Sequence, residues 1–372
     1  MTRVVIALSG GVDSAVAGLL LKRRKDVQLI GAVFMTNWDR QINESHMIDD
    51  PKCESLDEDL KLAKEVAHHL EIPLYTYNFT SEYWFQVFKP FISDVESNLI
   101  GNPDLGCNSK IKFGILLKKV KEDLGEDLKL ATGHYARIIK EEGKYLLGTC
   151  SNPLKDQTYF LSRLTQEQLK DIIFPLSGFK SKDEIRQIAK KEGFPNWGKR
   201  SSRGICFIGK RSFNSFISGY VSPIKGKVVD IETNKELGTH KGLCFYSLHQ
   251  RKGTNVSGQE EAYCVCDKDP ASSTLYVCRT SSKHKYLMTN GSFVVDLHWI
   301  GGPPLENQEV KLKFKHTEKF AKGKIVSLDL EGVWLEHEEI VKTTPGQAVV
   351  FYSFDERVCL GSGFLRSSVN NG

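Results

Sequence analysis

Six residues, Ser9-Gly10-Gly11-Val12-Asp13-Ser14, carry the chemistry most easily read from this 372-residue chain. They fall where a short apolar run, Val4 to Leu8, must turn into a helix with apolar residues Val12, Ala15, Val16, Leu19 and Leu20 at i, i+3, i+4, i+7 and i+8. Two glycines at the mouth of a helix let the backbone turn tightly and aim several amide N–H groups, with the positive helix end, at one spot; the Ser9 and Ser14 hydroxyls add donors. A phosphate suits that spot. Asp13 puts a carboxylate beside it, which would repel phosphates unless Mg²⁺ lies between. The same residues also fit a plain strand-to-helix turn with a Ser or Asp cap. Neither G-x-x-x-x-G-K-[ST] nor G-x-G-x-x-G occurs here, which sets aside the commoner nucleotide loops.

Two thiols sit in settings suited to a nucleophile. Cys107 ends the turn-rich segment Asn102-Pro103-Asp104-Leu105-Gly106, just before a helix holding Lys110 and Lys112; a helix dipole and nearby lysines raise a thiolate fraction. Cys206 lies in Gly204-Ile205-Cys206-Phe207-Ile208-Gly209, preceded by Lys199, Arg200 and Arg203 and followed by Lys210 and Arg211. Taken alone, each reads as a small buried hydrophobe before it reads as a nucleophile; the motifs around them are what change that. Cys264, Cys266 and Cys278 make a poor metal site, because alternate strand positions share one face and no fourth ligand is obvious. His134, after Gly133, is placed either near a ligand or in a structural hydrogen bond.

The elements that must position these groups follow from the pattern. Through residue 135, apolar strands (Val4 to Leu8, Val27 to Met35, Pro73 to Phe79, Leu128 to Thr132) alternate with helices near Glu54 to Leu70, Glu82 to Ile92 and Ile111 to Leu124. Such alternation predicts a doubly wound parallel sheet with ligands at its carboxyl ends. Trp38 to Glu54, with Asp49-Asp50-Pro51, reads as a loop. A hairpin turning at Glu141-Glu142-Gly143 and two helices follow, the second opening with a capping box at Ser181 to Glu184. From about Lys225 short alternating runs broken by Gly, Pro and Asn predict small β domains or barrels. The expected domains are 1–220, 221–284 and 285–372. With 40% hydrophobic and 26% charged residues, net charge +5 and nine cysteines, the composition is that of a globular protein of a reducing compartment, without a disulfide scaffold, membrane span or secretory leader. Lys190, Lys191, Lys199, Arg200 and Arg203 form the densest basic stretch near a candidate cysteine, suited to an anionic partner.

The string SGGVDS resembles the pyrophosphate loop of the ATP pyrophosphatase superfamily. With NPDxxCN, ATGHY, KDQ-x-YFL and GICFIG in the same order, the chain resembles the tRNA-specific 2-thiouridylases, and Leu243 to Gly253 and Thr344-Pro345-Gly346-Gln347 match that family's later domains. The resemblance implies a Rossmann-like α/β catalytic domain, a small β-rich central domain and a C-terminal β-barrel. It implies that Ala7, Leu8, Ser9, Gly10, Gly11, Val12, Asp13 and Ser14, with Met35 and Gly133, hold ATP and Mg²⁺. It further implies that the wobble uridine of a tRNA anticodon loop is adenylated on its 2-oxygen, that Cys206 carries sulfur as a persulfide, and that Cys107 attacks it and closes a Cys107–Cys206 disulfide. Asp104 is the implied acid or base, Asn102, Pro103 and Asp104 the contacts to the flipped base, and His134, Lys155, Asp156, Gln157 and Gln347 further contacts to tRNA. A sulfur-relay protein or cysteine desulfurase is the implied donor.

The chain departs from the family pattern at Ile100-Gly101, Ser201, Arg203, His249 and Lys315 to Phe320, which bears on tRNA contact rather than catalysis. The insertion around Asp49-Asp50-Pro51 and Cys53 resembles mitochondrial members, so mitochondria are the expected location, with a bacterial-type cytoplasm as the alternative. An amide-forming synthetase with the same loop is the rival enzyme, and an iron–sulfur cluster on Cys107, Cys206 and Asp104 the rival use of the thiols.

Overall fold

The computed structural model describes residues 1–39, 43, 55–199, 212–254, 256 and 260–370. The N-terminal domain is built on β1 (Thr2–Ala7), β2 (Val27–Thr36), β3 (Leu74–Asn78) and β4 (Lys129–Ala131), followed by a hairpin, β5 (Arg137–Glu141) and β6 (Lys144–Gly148), and by β7 (Ile172–Ile173). The sheet runs β3-β2-β1-β4-β7 and is parallel throughout. Val4, Val5 and Ile6 are fully buried in succession because both faces of β1 are covered. One face packs on the helices Val12–Lys22, Ser55–His69 and Lys182–Lys191, and the other on the helical stretches Thr80–Glu96 and Pro103–Leu124. Truncating Ile6 to Ala would cost about 2–5 kcal/mol and loosen the strand that delivers the glycine loop. Strand order reverses between β1 and β4, and the crevice at their carboxyl ends is where a doubly wound sheet binds ligands.

One helix differs from expectation in a way that matters. The pattern predicts a start near Ile111, whereas the helix begins at Pro103 and is π-helical from Cys107 to Leu116. Proline at the first position and Asp104 in the first turn favour the earlier start. Cys107 therefore lies within a helix rather than just before one, in a rare backbone form that clusters at functional sites.

The central domain contains β8 (Gly226–Asp230), β9 (Glu236–His240), β10 (Tyr263–Asp269) and β11 (Thr274–Arg279) in the order β10-β11-β8-β9. The last domain holds β12 (Met288–Trp299), β13 (Glu309–Lys313), β14 (Ala321–Leu328), β15 (Val333–Val341), β16 (Ala348–Tyr352) and β17 (Val358–Val369). These six close into a barrel, β12-β15-β14-β13-β16-β17 and back to β12, which leaves no free edge among them. The N-terminal domain's β5-β6 hairpin adds to the barrel through β6 and β17, so the two domains share one sheet.

Candidate active site

The loop after β1 has the geometry an anion requires. Gly10 has φ +71°, and a Cβ there would meet the Asp59 carbonyl oxygen at 2.6 Å, so the position admits glycine alone. Gly11 precedes the Val12–Lys22 helix without a side-chain cap, which leaves first-turn amides for a ligand. The Ser14 hydroxyl donates to the Gly11 carbonyl at 2.9 Å and accepts from the Ser9 amide at 3.2 Å, fixing the loop on itself. Leu8 and Val12 are buried, so their contribution to a ligand is backbone, while Ser9 is exposed and Ala7, Gly11 and Asp13 are half-buried. Gly133, just past β4, comes so close that a Cβ would lie 2.7 Å from the Ser14 amide nitrogen. Met35 is half-buried on β2, opposite Tyr77 on β3.

Asp13 is already partnered within the protein. Lys182 Nζ lies 2.9 Å from its Oδ2, and the Tyr135 hydroxyl donates to its Oδ1 at 3.0 Å. Burial first and then the Asp13 charge raise the Tyr135 phenol well above its ordinary range, so it remains a donor. Among the described residues no cluster of three or more metal-ligating side chains occurs. A single carboxylate fits a Mg²⁺ held chiefly by phosphate oxygens and water. Asn196 Nδ2 donates to the Gly10 carbonyl at 3.0 Å, and Lys199 pairs with Asp59.

The thiol half of the site is anchored from several sides. Asn108, buried beside Cys107, donates to the Phe160 carbonyl at 3.1 Å, and Gln168 Nε2 donates to the Ser109 carbonyl at 2.7 Å within the π-helical stretch. Asn37, immediately after β2, reaches Cys107 Sγ with its Nδ2 at 3.7 Å. Burial raises the Asp104 carboxyl above its ordinary range, and Lys112 opposes that rise. Lys112 Nζ lies 2.8 Å from Asn108 Oδ1 and 3.4 Å from His134 Nε2. Since an ammonium only donates, Nε2 accepts and Nδ1 carries the proton toward Thr132 Oγ1 at 2.7 Å. Burial, then Lys112, holds His134 well below the ordinary histidine range, so both nitrogens serve a structural hydrogen-bond chain. Residues Thr132 to His134 thus touch both halves: Gly133 lies on Ser14 and His134 on Lys112.

The tRNA-side candidates divide. Asn102 precedes the helix and Pro103 is buried at its start. Lys155 is exposed, next to Leu154 at 90% exposure. Asp156 does not fit a nucleic-acid contact: it is 5% exposed, and its carboxylate accepts from the Cys150 amide at 2.8 Å, the Thr158 amide at 3.1 Å and the Thr158 hydroxyl. It shapes the loop that presents Lys155. Gln157 is tied to Tyr135, accepting from its amide at 2.9 Å. Gln347 donates to the Tyr159 hydroxyl at 2.7 Å. Its neighbours brace the helix that begins at Pro103, since Ile100 N donates to the Pro345 carbonyl at 2.9 Å just ahead of Asn102. Cys206, with Arg200, Ser201, Arg203, Lys210 and Arg211, lies outside the described residues, as does Cys53.

Lys182, Tyr135 and Asn37 are functional candidates that the motifs do not single out. Tyr135 stands inside a quoted motif, and Asn37 follows a strand at its carboxyl end, where position is the signal. Lys182 follows the N-cap Ser181, whose hydroxyl accepts from the Glu184 amide, and its sequence setting gives no hint of Asp13.

Residues 2–210 match the family described as the tRNA methyl transferase HUP domain, 214–279 the tRNA methyl transferase PRC-barrel domain, and 290–365 the aminomethyltransferase beta-barrel domain. The chain is 40% identical over its whole length to the full-length tRNA-specific 2-thiouridylase MnmA of Malacoplasma penetrans. The chain belongs to the tRNA-specific 2-thiouridylase family. Other members are 40% identical in Mycoplasmopsis synoviae, over 97% of this chain and 95% of that protein, and 37% identical in Ureaplasma parvum, over 100% and 95%. These relatives lend no support to the mitochondrial expectation. Family membership does agree with the fold, a parallel-sheet domain followed by a central domain and a closed six-stranded barrel.

Proposed function

We infer that this protein catalyses ATP-dependent 2-thiolation of the wobble uridine of tRNA. The observation that carries the reading is the bridge at Thr132 to His134, which sets an anion-binding loop and a helix bearing Cys107 and Asp104 at one crevice. An amide-forming synthetase needs the loop but has no use for such a thiol.

In this mechanism the loop from Ser9 to Ser14 holds the β- and γ-phosphates of ATP, chiefly on the first-turn amides of the helix that begins at Val12. Mg²⁺ at Asp13 would offset phosphate charge. The uracil 2-oxygen attacks the α-phosphorus, pyrophosphate leaves, and the oxygen becomes part of an AMP leaving group. A persulfide on Cys206, loaded by a sulfur-donor protein, attacks C2 through its terminal sulfur. The Cys107 thiolate then attacks the inner Cys206 sulfur. The S–S bond breaks with its electron pair going to the transferred sulfur, a Cys107–Cys206 disulfide forms, AMP departs, and a thiol reductant must reopen the disulfide before the next turnover. Cys206 is seven residues from Lys199, which is paired beside the glycine loop, and six from Ser212, next to Phe213 against Phe91. Asp104, protonated more readily than an ordinary carboxyl, serves as acid or base at the extruded base. Exposed Lys155 supplies phosphate affinity.

The test is mass spectrometry of nucleosides after incubating unmodified tRNA with the protein, Mg²⁺-ATP and either sulfide or a persulfide donor. 2-Thiouridine that appears only with ATP, and is lost from the persulfide donor in Cys206→Ser, supports the reading. ATP turned over to AMP with unchanged tRNA overturns it in favour of amide-forming chemistry. Iron retained after anaerobic purification would replace the disulfide cycle with a cluster.

A further inference from the structure

Asn37 is the first residue beyond β2, on the ligand-binding edge of the sheet. Its side chain makes an unusual pair of arrangements: Nδ2 lies 3.7 Å from Cys107 Sγ, and the buried Oδ1 has no hydrogen-bond partner. A buried amide kept for structure is satisfied at both ends; this one is satisfied at the sulfur. Both sides of the contact are held firmly. Trp38 is wedged among Tyr83 at 6.4 Å, Phe88 at 4.8 Å and Phe216 at 6.1 Å between ring centroids, which fixes the backbone at Asn37. Cys107 opens the π-helical stretch, pinned by the Asn108–Phe160 bond and by Gln168 on Ser109.

We propose that Asn37 is the positioning residue for Cys107, aiming its sulfur into the crevice and stabilising the thiolate through an N–H···S hydrogen bond. This rests on the reading of Cys107 as the thiolate that opens the persulfide. A hydrogen bond donated to the charged form favours ionisation, and the amide is a neutral donor whose effect does not depend on pH. Among the described residues, the charged or titratable groups of the packed elements that lie toward Cys107 include Asp104, Lys110 and Lys112 on the same helix, Asp39 on the Asn37 segment, Glu82 and Tyr83 on Thr80–Tyr83, Tyr159 on Thr158–Leu161, and His134 reached through Lys112. Lys110 is turned to the Gln86 carbonyl, the Tyr159 hydroxyl to the Ala348 carbonyl, and Lys112 to Asn108 and His134.

The experiment is the pH dependence of iodoacetamide alkylation at Cys107 in the free full-length protein, read on the Cys107 peptide by mass spectrometry, for wild type, Asn37→Ala and Asn37→Asp. The half-buried Cys244 in the central domain is the internal control for folding. Loss of one donor to a charged group should raise the Cys107 midpoint by roughly one pH unit in Asn37→Ala. Asn37→Asp, nearly the same shape but anionic, should raise it further, with the Cys244 profile unchanged in both. Midpoints in both variants that coincide with wild type overturn the proposal, as does an Asn37→Asp profile equal to wild type beside a shifted Asn37→Ala, which would mark a packing role. No tRNA or ATP is used, so failure here is distinct from failure of the thiolation reading, which Cys107→Ser tests by activity.

Discussion

Cys107 and the cysteines of the central sheet are the same residue in opposite environments. Cys107 is half-buried at the crevice, with an amide donor on its sulfur. Cys264, Cys266 and Cys278 are buried between β10, β11 and Leu287, with Cys264 directly opposite Cys278 and their sulfurs 3.7 Å apart. Burial, then Cys278, pushes Cys264 up to about 12, and burial lifts Cys150 to about 11. A thiol in an apolar core behaves as a hydrophobe; one with a donor and a path to solvent is available as a thiolate. Abundance of cysteine therefore says little, and the neighbours decide.

The sharpest way to break this contrast is to remove one thiol from each side. Cys107→Ser should reduce thiolation from a persulfide donor by about 10³-fold or more, as loss of a nucleophile does, while Cys278→Ser should leave the rate of folded protein within about twofold. Nucleoside mass spectrometry on both variants checks it. A fully active Cys107→Ser, or a folded but dead Cys278→Ser, would reverse the assignment.

The second test separates the two halves of the crevice. Gly133→Ala places a methyl 2.7 Å from the Ser14 amide and 2.8 Å from the Asp13 carbonyl carbon, both backbone atoms that cannot step aside cheaply. Displacement of the loop by a fraction of an ångström should lower thiolation about 10²-fold and weaken ATP binding by calorimetry. Cys107 alkylation should not change, since the thiol side is held by Asn37, Asn108 and Gln168. If alkylation falls with ATP binding, the halves are one mechanical unit.

The two halves also differ in how far they could be read without coordinates. The phosphate loop is local: six consecutive residues at a strand-to-helix junction fix its chemistry, and the alternation of apolar runs fixes the sheet beneath it. The thiol half is assembled from distant segments. Asn37, Asp104, Lys112, His134 and Gln168 come from four stretches of chain, and no spacing rule links them. The early start of the Cys107 helix was hidden because Pro103 and Gly106 read as turn residues, although proline is well suited to a helix's first position. Asp156 misled for a related reason: a carboxylate in a polar motif reads as surface until the Cys150 and Thr158 amides are found on it.

A third, smaller effect sharpens the account of the inert thiols. Cys278→Ser puts a hydroxyl into a fully buried apolar cluster, which should destabilise the protein by about 1–3 kcal/mol, measured as a shift in the denaturation midpoint with an unchanged slope. Cys107→Ser, half-buried at the edge of a core and already beside an amide donor, should move stability far less. Equal costs at the two positions would mean that burial is not what separates them.

The last test concerns Asp104, on the same helix as Cys107. Burial raises Asp104 above the ordinary Asp value of about 3.9, with Lys112 opposing. Below that ordinary value the group is protonated in both folded and unfolded chains and costs nothing electrostatically. As pH rises through the folded value, the folded protein must hold a poorly solvated charge that the unfolded chain solvates, and stability is lost. Asp104→Asn removes that cost. Its melting temperature should exceed wild type at neutral pH, and the two curves should converge as pH falls below about 4. The same substitution should suppress thiolation, since the amide neither accepts nor releases a proton in the working range. A gain in stability paired with loss of activity marks a group retained for chemistry against its folding cost, whereas melting curves offset equally at every pH would show that Asp104 acts through packing.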